Sequence, residues 1–377
     1  MRCVLVLVVL QALLLGGCEG TASGVGTADE DSSPMRMWPD ANRPDAALSA
    51  DATVDGAVDA MPPPDAEPPS PDGVPMFVAS GFGGRTVMSC DDGRTFHDRR
   101  LSDDNGDHSA FTDKGLAYGN GVFVQLMGWG ASASFQASRN GVDWTTIELD
   151  VRFGSVSFAN GAFVAAGQRE AFSSSDGFTW TEVGRTSAPD HVREGGGGGS
   201  LAVLANTDGP VFSQDRGVTW RQESTCAGVS SFGGVGQQGG VAYGLGRLVM
   251  FDSDGRWCTT TDGTDWRTGV SDAERNRGGG KMMFAGGAFR FMNGASALTS
   301  TDGENWTRVD FEPAGVELHA VAASDGGTFV AFNRGSNEFY RSTDGVRWES
   351  MGVHDAPTRL TRLVFGYGEA SETCPGR

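Results

Sequence analysis

The sequence Ser213-Gln-Asp-Arg-Gly-Val-Thr-Trp220 is one of seven copies of a short signature that decides the fold. The other six copies, in chain order, are Ser89-Cys-Asp-Asp-Gly-Arg-Thr-Phe96, Ser138-Arg-Asn-Gly-Val-Asp-Trp144, Ser174-Ser-Asp-Gly-Phe-Thr-Trp180, Thr260-Thr-Asp-Gly-Thr-Asp-Trp266, Ser300-Thr-Asp-Gly-Glu-Asn-Trp306 and Ser342-Thr-Asp-Gly-Val-Arg-Trp348. Their aromatic residues are 48, 36, 40, 46, 40 and 42 residues apart. A regular period of this length indicates seven similar structural units.

Each copy predicts a tight turn between two β-strands. The side-chain oxygen of the Asp or Asn can accept hydrogen bonds from backbone N–H groups of the turn, and the Gly supplies a positive φ without steric cost. The aromatic residue then begins the next strand and covers the hairpin with an apolar face. The Asp or Asn positions are Asp92, Asn140, Asp176, Asp215, Asp262, Asp302 and Asp344. The tryptophans are Trp144, Trp180, Trp220, Trp266, Trp306 and Trp348.

The signature resembles the Asp-box, or BNR repeat, of sialidases and related β-propellers. Residues 213–220 fit the Ser-x-Asp-x-Gly-x-Thr-Trp form fully, whereas most other copies lack the residue between Asp and Gly. The resemblance implies a propeller fold. It implies little about activity, because in that family the box is structural and lies away from the active site.

A second pattern upstream of each signature predicts two further strands, as in Val156-Ser-Phe-Ala-Asn-Gly-Ala-Phe-Val-Ala-Ala166. Four strands per repeat make one propeller blade, with the upstream strand innermost. The first repeat starts with a second strand at 76–79, and the chain ends with a first strand at 363–368. We therefore expect an all-β, seven-bladed β-propeller of four-stranded antiparallel blades over 76–368, with its first blade closed by both termini.

Residues 1–17 are typical of a bacterial lipoprotein signal peptide. Arg2 precedes an apolar run at 4–15 that is too short to span a bilayer comfortably. The run ends in Leu15-Gly-Gly-Cys18, which resembles a lipobox, so we expect Cys18 to be lipidated and to anchor the protein in a membrane. An ordinary signal peptide with a chance cysteine is the alternative. Residue 19 is Glu rather than Asp, which favours the outer membrane of the cell envelope, on its periplasmic or surface side.

Residues 18–75 are predicted to be a disordered tether rich in Asp, Ala and Pro. Residues 19–75 carry 12 acidic and 2 basic side chains, a net charge of −10, and show no apolar period. Such a segment cannot bury enough surface to fold, and proline and charge repulsion extend it. The tether would hold the propeller away from the membrane, and 369–377 would form a tail with a closure cysteine.

Composition excludes several classes of protein. The chain has 57 glycines among 377 residues, which disfavours a mostly helical fold. Its net charge of −19 argues against sequence-independent binding to nucleic acid. Only the first segment is apolar enough to enter a bilayer, so a multi-span membrane protein is excluded. We expect a monomer without nucleic acid.

Four cysteines of the mature chain remain for disulfides, which export makes plausible. Cys90 lies in the first signature and Cys374 follows the last innermost strand of the same blade, so the two should be neighbours. Cys226 lies in the loop leading to the fifth blade and Cys258 in that blade's third strand. We predict Cys90–Cys374 and Cys226–Cys258, with reduced buried thiols as the alternative.

Six basic residues are predicted near the starts of the innermost strands, around the central channel. They are Lys114, His191, Arg193, Lys281, His319 and Arg362. Both lysines of the chain are among them, and they could form a cationic funnel for an anionic ligand such as a carboxylate or an acidic sugar. Alternatively, these side chains pair with the nearby Asp113, Asp190 and Glu194.

Catalytic and metal motifs are missing from the sequence. The positions of the tyrosines do not suggest a sialidase nucleophile. Three of them occupy the same position in their repeats, which indicates packing: Tyr118, Tyr243 and Tyr367. The fourth, Tyr340, lies on a third strand. Histidines lie at least 11 residues apart, so local metal-ligand spacing is absent. The acidic loop 103–108 departs from the EF-hand pattern and is predicted to be solvated rather than to bind calcium. We expect no cofactor, no metal and no catalytic residue.

Three functions fit these observations. The first is a membrane-anchored, non-catalytic binding or scaffold module for a protein or a glycan, as in seven-bladed Asp-box relatives that assist photosystem assembly. The second is a glycan-active enzyme, a hydrolase or lyase, using two carboxylates about 5–10 Å apart on the loop face. The third is a structural envelope protein with no specific small ligand.

Overall fold

The computed structural model is almost entirely β-structure. It describes residues 73–99, 113–129, 132–149, 153–167, 170–185, 194–205, 209–227, 229, 240–252, 254–271, 281–333, 335–354 and 359–376. In these residues the strands form seven four-stranded antiparallel sheets, and one short 3-10 helix occupies Phe82–Gly84. The lipidation site Cys18, the tether up to residue 72 and the acidic loop 103–108 lie outside the described residues.

The strands follow one plan in every blade, from the innermost strand outward. Blade 1 contains β28 (Leu360–Gly368), β1 (Val74–Gly81), β2 (Thr86–Ser89) and β3 (His97–Arg99). Blade 2 contains β4 (Asp113–Gly119), β5 (Val122–Trp129), β6 (Ser132–Ser138) and β7 (Thr145–Leu149). Blade 3 contains β8 (Phe153–Ala159), β9 (Ala162–Gly167), β10 (Glu170–Ser174) and β11 (Thr181–Arg185). Blade 4 contains β12 (Glu194–Gly198), β13 (Leu201–Ala205), β14 (Val211–Ser213) and β15 (Arg221–Gln222).

The remaining blades repeat the plan. Blade 5 contains β16 (Val241–Gly244), β17 (Arg247–Phe251), β18 (Arg256–Thr260) and β19 (Trp266–Val270). Blade 6 contains β20 (Lys281–Ala285), β21 (Ala288–Asn293), β22 (Ser296–Ser300) and β23 (Thr307–Asp310). Blade 7 contains β24 (Ala320–Ala323), β25 (Phe329–Asn333), β26 (Glu338–Ser342) and β27 (Glu349–Val353).

The seven sheets close into a ring through the first blade. Strand β28 pairs antiparallel with β1 in a register that places Val364 opposite Val78. Each innermost strand contacts the innermost strand of the next blade, and β24 contacts β28. The predicted seven-bladed propeller with a first blade from both termini is therefore confirmed. Strand β1 begins at Val74, two residues before the predicted start, because Val74 and Pro75 still pair with β28.

The ring has two different faces. The turn face carries the seven signature turns together with the hairpins between the first and second strands of the blades. The loop face is the opposite edge, where each innermost strand of blades 2 to 7 begins. Register shows the arrangement: in blade 2, Phe123 beside the first hairpin pairs with Ser138 of the signature, whereas Asp113 pairs with Met127 at the other end.

The signature turns are held by their own short polar residues. In the fourth copy, the Ser213 hydroxyl accepts a hydrogen bond from Gly217 N–H at 2.8 Å and donates one to Asp215 at 2.8 Å. Asp215 also accepts from the backbone N–H and the hydroxyl of Thr219, at 2.8 and 2.6 Å. The indole N–H of Trp220 donates to the Gly217 carbonyl at 2.9 Å. Buried backbone groups of the turn are thus satisfied locally.

The first copy corrects the sequence prediction for Asp92. Asp91, not Asp92, accepts hydrogen bonds from the Thr95 backbone N–H at 2.9 Å and from the Ser89 hydroxyl at 2.9 Å. The reason is that 89–96 also contains the extra residue between Asp and Gly, and Asp92 fills that place with a φ of 62°. Asp92 instead binds blade 7, where its carboxylate accepts from Arg341 at 2.7 Å.

The aromatic residue of a signature packs beyond its own hairpin, against the preceding blade. Trp180 stacks on Phe135 of β6 with ring centroids 4.1 Å apart and an interplanar angle of 13°. The ring centroids of Trp266 and Phe212 of β14 lie 4.2 Å apart, with the two rings tilted by 40°. These signatures therefore close a turn and also join two blades through aromatic contact.

Glycines on the innermost strands accept aromatic rings of the next blade. A methyl group on Gly119 would overlap the ring of Phe158, and one on Gly244 would overlap the ring of Phe284. Tyr118 and Tyr243 occupy equivalent positions, each five residues before its partner on the second strand. Their equivalent in blade 1 is Phe365, paired with Phe77, so the predicted assignment of Tyr367 to this position is wrong. Tyr367 lies two residues later because β28 is longer than the other innermost strands.

Both predicted disulfides are present. Cys90 is bonded to Cys374 with Cα atoms 5.6 Å apart, and Cys226 to Cys258 with Cα atoms 5.8 Å apart. The first bond connects the signature turn of blade 1 to the C-terminal tail beyond β28. The second connects the segment before blade 5 to β18 inside that blade.

Candidate functional site

A cavity of about 220 Å³ runs along the innermost strands in the centre of the ring. Its walls come from β4, β8, β12, β16, β20 and β28. Much of the lining is glycine or apolar, including Gly195, Leu116 and Val156. A volume of this size corresponds to about seven water molecules at ~30 Å³ each, so the channel has room for a small ligand or for one group of a larger one.

Two of the predicted cations line this cavity together. Lys281 is the first residue of β20 and Arg362 is the third residue of β28. The Lys281 ammonium donates a hydrogen bond to the Leu363 carbonyl oxygen at 3.2 Å, so its side chain reaches from blade 6 to blade 1. Burial lowers the pKa of Lys281 to about 7, and the neighbouring Arg362 guanidinium contributes to that shift. Among the described lining residues, these two are the charged ones.

The other four predicted cations are placed only in part. Lys114 is the second residue of β4, but its side chain lies outside what is described. His191 and Arg193 lie outside the described residues. His319 immediately precedes β24 and is partly buried, and its backbone N–H donates to the Phe332 carbonyl at 3.0 Å. The structure therefore brings Lys281 and Arg362 together and leaves the wider funnel a prediction.

Sequence reasoning missed a buried carboxylate on the loop face, Asp252. It lies between β17 and β18, is 2% exposed, and accepts hydrogen bonds from the backbone N–H groups of Asp254 and Arg256 at 2.9 and 2.8 Å. Burial nevertheless raises its pKa to about 6. The signal was the stretch Asp252-Ser-Asp-Gly-Arg256, in which an Asp precedes a Gly turn.

Asp252 and Asp254 also bear on the enzymatic alternative, since both lie on the loop face. Arg256 contacts the two carboxylates at 3.7 and 3.6 Å. Asp252 is held by backbone and Arg256, an arrangement that stabilises the turn rather than presenting an acid and a base to a substrate.

Tyr340 lies on the third strand β26, as expected, with its hydroxyl donating to Glu338 at 2.7 Å. Burial raises the pKa of Tyr340 to about 12, and the hydrogen-bonded Glu338 adds to the shift. Tyr340 is 9% exposed and packs in an apolar cluster with Phe329 and Trp348.

Metal-ligating side chains are not clustered in the described part of the chain. There, no group of three or more His, Cys, Asp and Glu side chains is arranged to hold a metal ion. The same residues contain no helix with the length and apolarity that crossing a membrane requires.

No protein-family model matches the sequence, and no curated protein sequence matches it significantly. Solved structures of similar fold include YCF48 bound to D1 peptide, with 17% identity, a TM-score of 0.47, and coverage of 64% of this chain and 82% of that one. Virginiamycin B lyase from Staphylococcus aureus has 12% identity, a TM-score of 0.49, and coverage of 66% and 87%. AztD from Citrobacter koseri has 10% identity, a TM-score of 0.44, and coverage of 79% and 99%. Likenesses at this level carry no argument about function.

Proposed function

We propose that this chain is a non-catalytic binding propeller of the Asp-box kind, whose central channel takes an anionic group of a protein or glycan partner. The observation that carries the proposal is the pair Lys281 and Arg362, two cations on different blades that line one cavity. Two positive groups in a narrow channel attract a negative charge strongly, because water screens them poorly there. A carboxylate is the group that best matches an arginine fork next to an ammonium.

The surrounding architecture supports binding rather than chemistry. Most residues that line the cavity are glycine or apolar, with Ser155 and Ser157 among the polar ones, and the surface that the cavity presents is mainly polar. Such a surface can offer hydrogen bonds that position a ligand. The described lining contains no carboxylate that could act as a general acid or base.

We also propose that the propeller is held in the cell envelope, at the outer membrane, by a lipid on Cys18. The support is the lipobox-like Leu15-Gly-Gly-Cys18 and the acidic, proline-rich stretch that follows it. A tether of this composition would let the loop face reach a partner at a distance from the bilayer.

Calorimetric titration with matched ligands tests the binding proposal. D-glucuronate and D-glucose represent the glycan arm, and a short peptide with a free or an amidated C-terminus represents the protein arm. We expect the charged member of at least one pair to bind about tenfold more tightly, or more, than its neutral match, a difference of about 1.4 kcal/mol. Lys281→Gln and Arg362→Gln should each remove that preference.

The matched control is Arg308→Gln, which removes a cation from the outer strand β23, where Arg308 pairs with Asp310 at 2.8 Å. This variant should keep the preference for the charged ligand. Equal binding of both members of both pairs, or an identical loss in the control, would overturn the proposal.

A further inference from the structure

Lys281 differs from an ordinary surface lysine in where its amine lies. Its backbone begins β20, yet its Nζ reaches the Leu363 carbonyl oxygen of β28, 3.2 Å away. Strand β24 of blade 7 lies between those two blades in the ring. The side chain therefore reaches past blade 7 to blade 1, and Lys281 is among the residues that line the central cavity.

Two features of that position disfavour the ammonium form. Lys281 lies among the residues that line the cavity, where burial removes its amine from water, and removal from water penalises a charge. Arg362 lines the same cavity and is always positive. Lysines that are desolvated, or that lie beside another cation, are the ones that proteins use as amine nucleophiles.

We propose that Lys281 is a carbonyl-reactive amine that forms a reversible imine with a small 2-oxo carboxylate whose carboxylate is held by Arg362. The inference rests on the proposed function, since it takes the channel to be the anion site and specifies the ligand there. In agreement with it, burial lowers the pKa of Lys281 to about 7, so the neutral amine is accessible near neutral pH.

The reaction is balanced without any oxidant or reductant. The Nζ lone pair adds to the carbonyl carbon, and a proton moves from nitrogen to the former carbonyl oxygen to give a carbinolamine. The hydroxyl then leaves together with the remaining N–H proton as water, so that a C=N bond forms, and hydrolysis reverses the step. A carboxylate next to the carbonyl is favoured because it places the negative charge within one bond of the carbon that Lys281 attacks, where Arg362 is near.

Reductive trapping of the full-length protein with glyoxylate and cyanoborohydride tests the proposal. The reductant converts the imine to a stable carboxymethyl-lysine, which peptide mass spectrometry locates. Because Lys114 is itself a predicted cation of the channel, N-α-acetyl-lysine added to the same sample is the reference amine. We expect labelling of Lys281 at pH 7 to be about tenfold faster, or more, than that of this reference.

Two variants sharpen the result. Lys281→Arg keeps the positive charge and should abolish labelling at this position. Arg362→Gln should remove the preference of Lys281 for glyoxylate over acetaldehyde, which lacks the carboxylate. If Lys281→Arg does not fold, labelling of the parent protein is sufficient, because labelling of Lys281 no faster than that of the reference amine overturns the proposal.

Glycolate separates this inference from the proposed function, since it has the carboxylate of glyoxylate and no carbonyl. If glycolate and glyoxylate bind equally and nothing is trapped at Lys281, the imine is wrong while the anion site stands. If no carboxylate binds and nothing is trapped, both proposals fail. Trapping at Lys281 with tighter binding of glyoxylate than glycolate supports both.

Discussion

Asp252 and Asp262 lie at the two ends of the same strand, β18, in opposite electrostatic surroundings. Asp262, on the turn face, accepts hydrogen bonds from the backbone N–H groups of Asp265 and Thr264 at 2.9 and 2.7 Å, and these bonds lower its pKa to about 2. Asp252, on the loop face, also accepts backbone hydrogen bonds, but burial raises its pKa to about 6. One strand thus carries a stabilised charge at one end and a disfavoured charge at the other.

The same contrast holds for the two faces as wholes. Signature carboxylates such as Asp176 and Asp344 have pKa values below the usual range, because backbone and hydroxyl donors outweigh the effect of burial. The loop-face end of the channel instead holds Lys281, whose pKa is lowered by burial and by Arg362. Charges kept in unfavourable surroundings are typical of binding sites. The turn face thus carries charges that its own donors stabilise, whereas at the loop face burial disfavours the charges of Asp252 and Lys281, in keeping with the proposed binding site there.

Removing the closure disulfide is expected to have the largest effect on the scaffold. Cys90→Ser with Cys374→Ser opens a bond that spans 284 residues and should lower the free energy of unfolding by about 2–5 kcal/mol. Cys226→Ser with Cys258→Ser opens a bond spanning 32 residues, and loop-closure entropy predicts a loss smaller by about 2 kcal/mol. Urea denaturation of both double variants measures the difference. A larger loss from the 226–258 pair would contradict the expectation that the bond closing the longer loop contributes more.

Replacing a tightly packed glycine on the turn-face side of the channel is expected to have the next largest effect on stability. Gly119→Ala puts a methyl group into the ring of Phe158 on the next blade, and overpacking of this kind costs about 1–3 kcal/mol. Gly326→Ala is the matched control, because the nearest atom to its added methyl group is Ser324 Oγ at 3.7 Å. Thermal melts of the two variants should differ by several degrees, and equal melting temperatures would contradict the inter-blade contact.

Sequence reasoning was strongest where structure is local. Each signature turn is closed by hydrogen bonds between residues that are near neighbours in sequence. The roles of Ser213, Asp215 and Gly217 could therefore be assigned directly. The same period predicted the blade count, the closure and both disulfides. The first copy failed because two adjacent acids fit the pattern, and only the hydrogen bonds distinguish Asp91 from Asp92.

The candidate site was only partly predictable, since it depends on contacts between blades. The positions of Lys281 and Arg362 within their repeats predicted that both lie near the channel. The hydrogen bond from Lys281 to Leu363, however, depends on how β20, β24 and β28 pack. Asp252 was missed because Asp-x-Asp-Gly is typical of a solvated turn, and its burial comes from the surrounding tertiary structure. The local sequence pattern identifies which residues are polar, whereas tertiary packing determines whether their side chains are charged.

Asp252→Asn tests whether burial of the Asp252 charge, at the loop-face end of β18, destabilises the fold. Because the folded-state pKa is raised from 3.8 to about 6, the stability linked to this group is full below pH 4 and is lost as the pH rises through about 6. Asparagine keeps an oxygen for the two backbone donors, so the variant should be more stable than the parent by about 1–2 kcal/mol at pH 7.5 and no more stable at pH 4. Asp254→Asn, on a side chain that is 58% exposed, is the control. A variant that is less stable at pH 7.5 would mean that the bond to Arg256 outweighs burial.

Asp262→Asn tests the favourable end and is expected to have the smallest effect. A pKa lowered to about 2 means that the carboxylate stabilises the folded state above the unfolded pKa of about 4, and that this contribution is lost as the pH falls through about 2. The variant should therefore melt slightly below the parent at neutral pH and together with it near pH 2, the reverse of the trend at Asp252. Asp265→Asn changes a neighbouring carboxylate while keeping the backbone N–H that donates to Asp262, so it should follow the parent at every pH. If Asp252→Asn and Asp262→Asn shifted stability in the same direction across this range, the two carboxylates that flank β18 would not lie in opposite electrostatic surroundings.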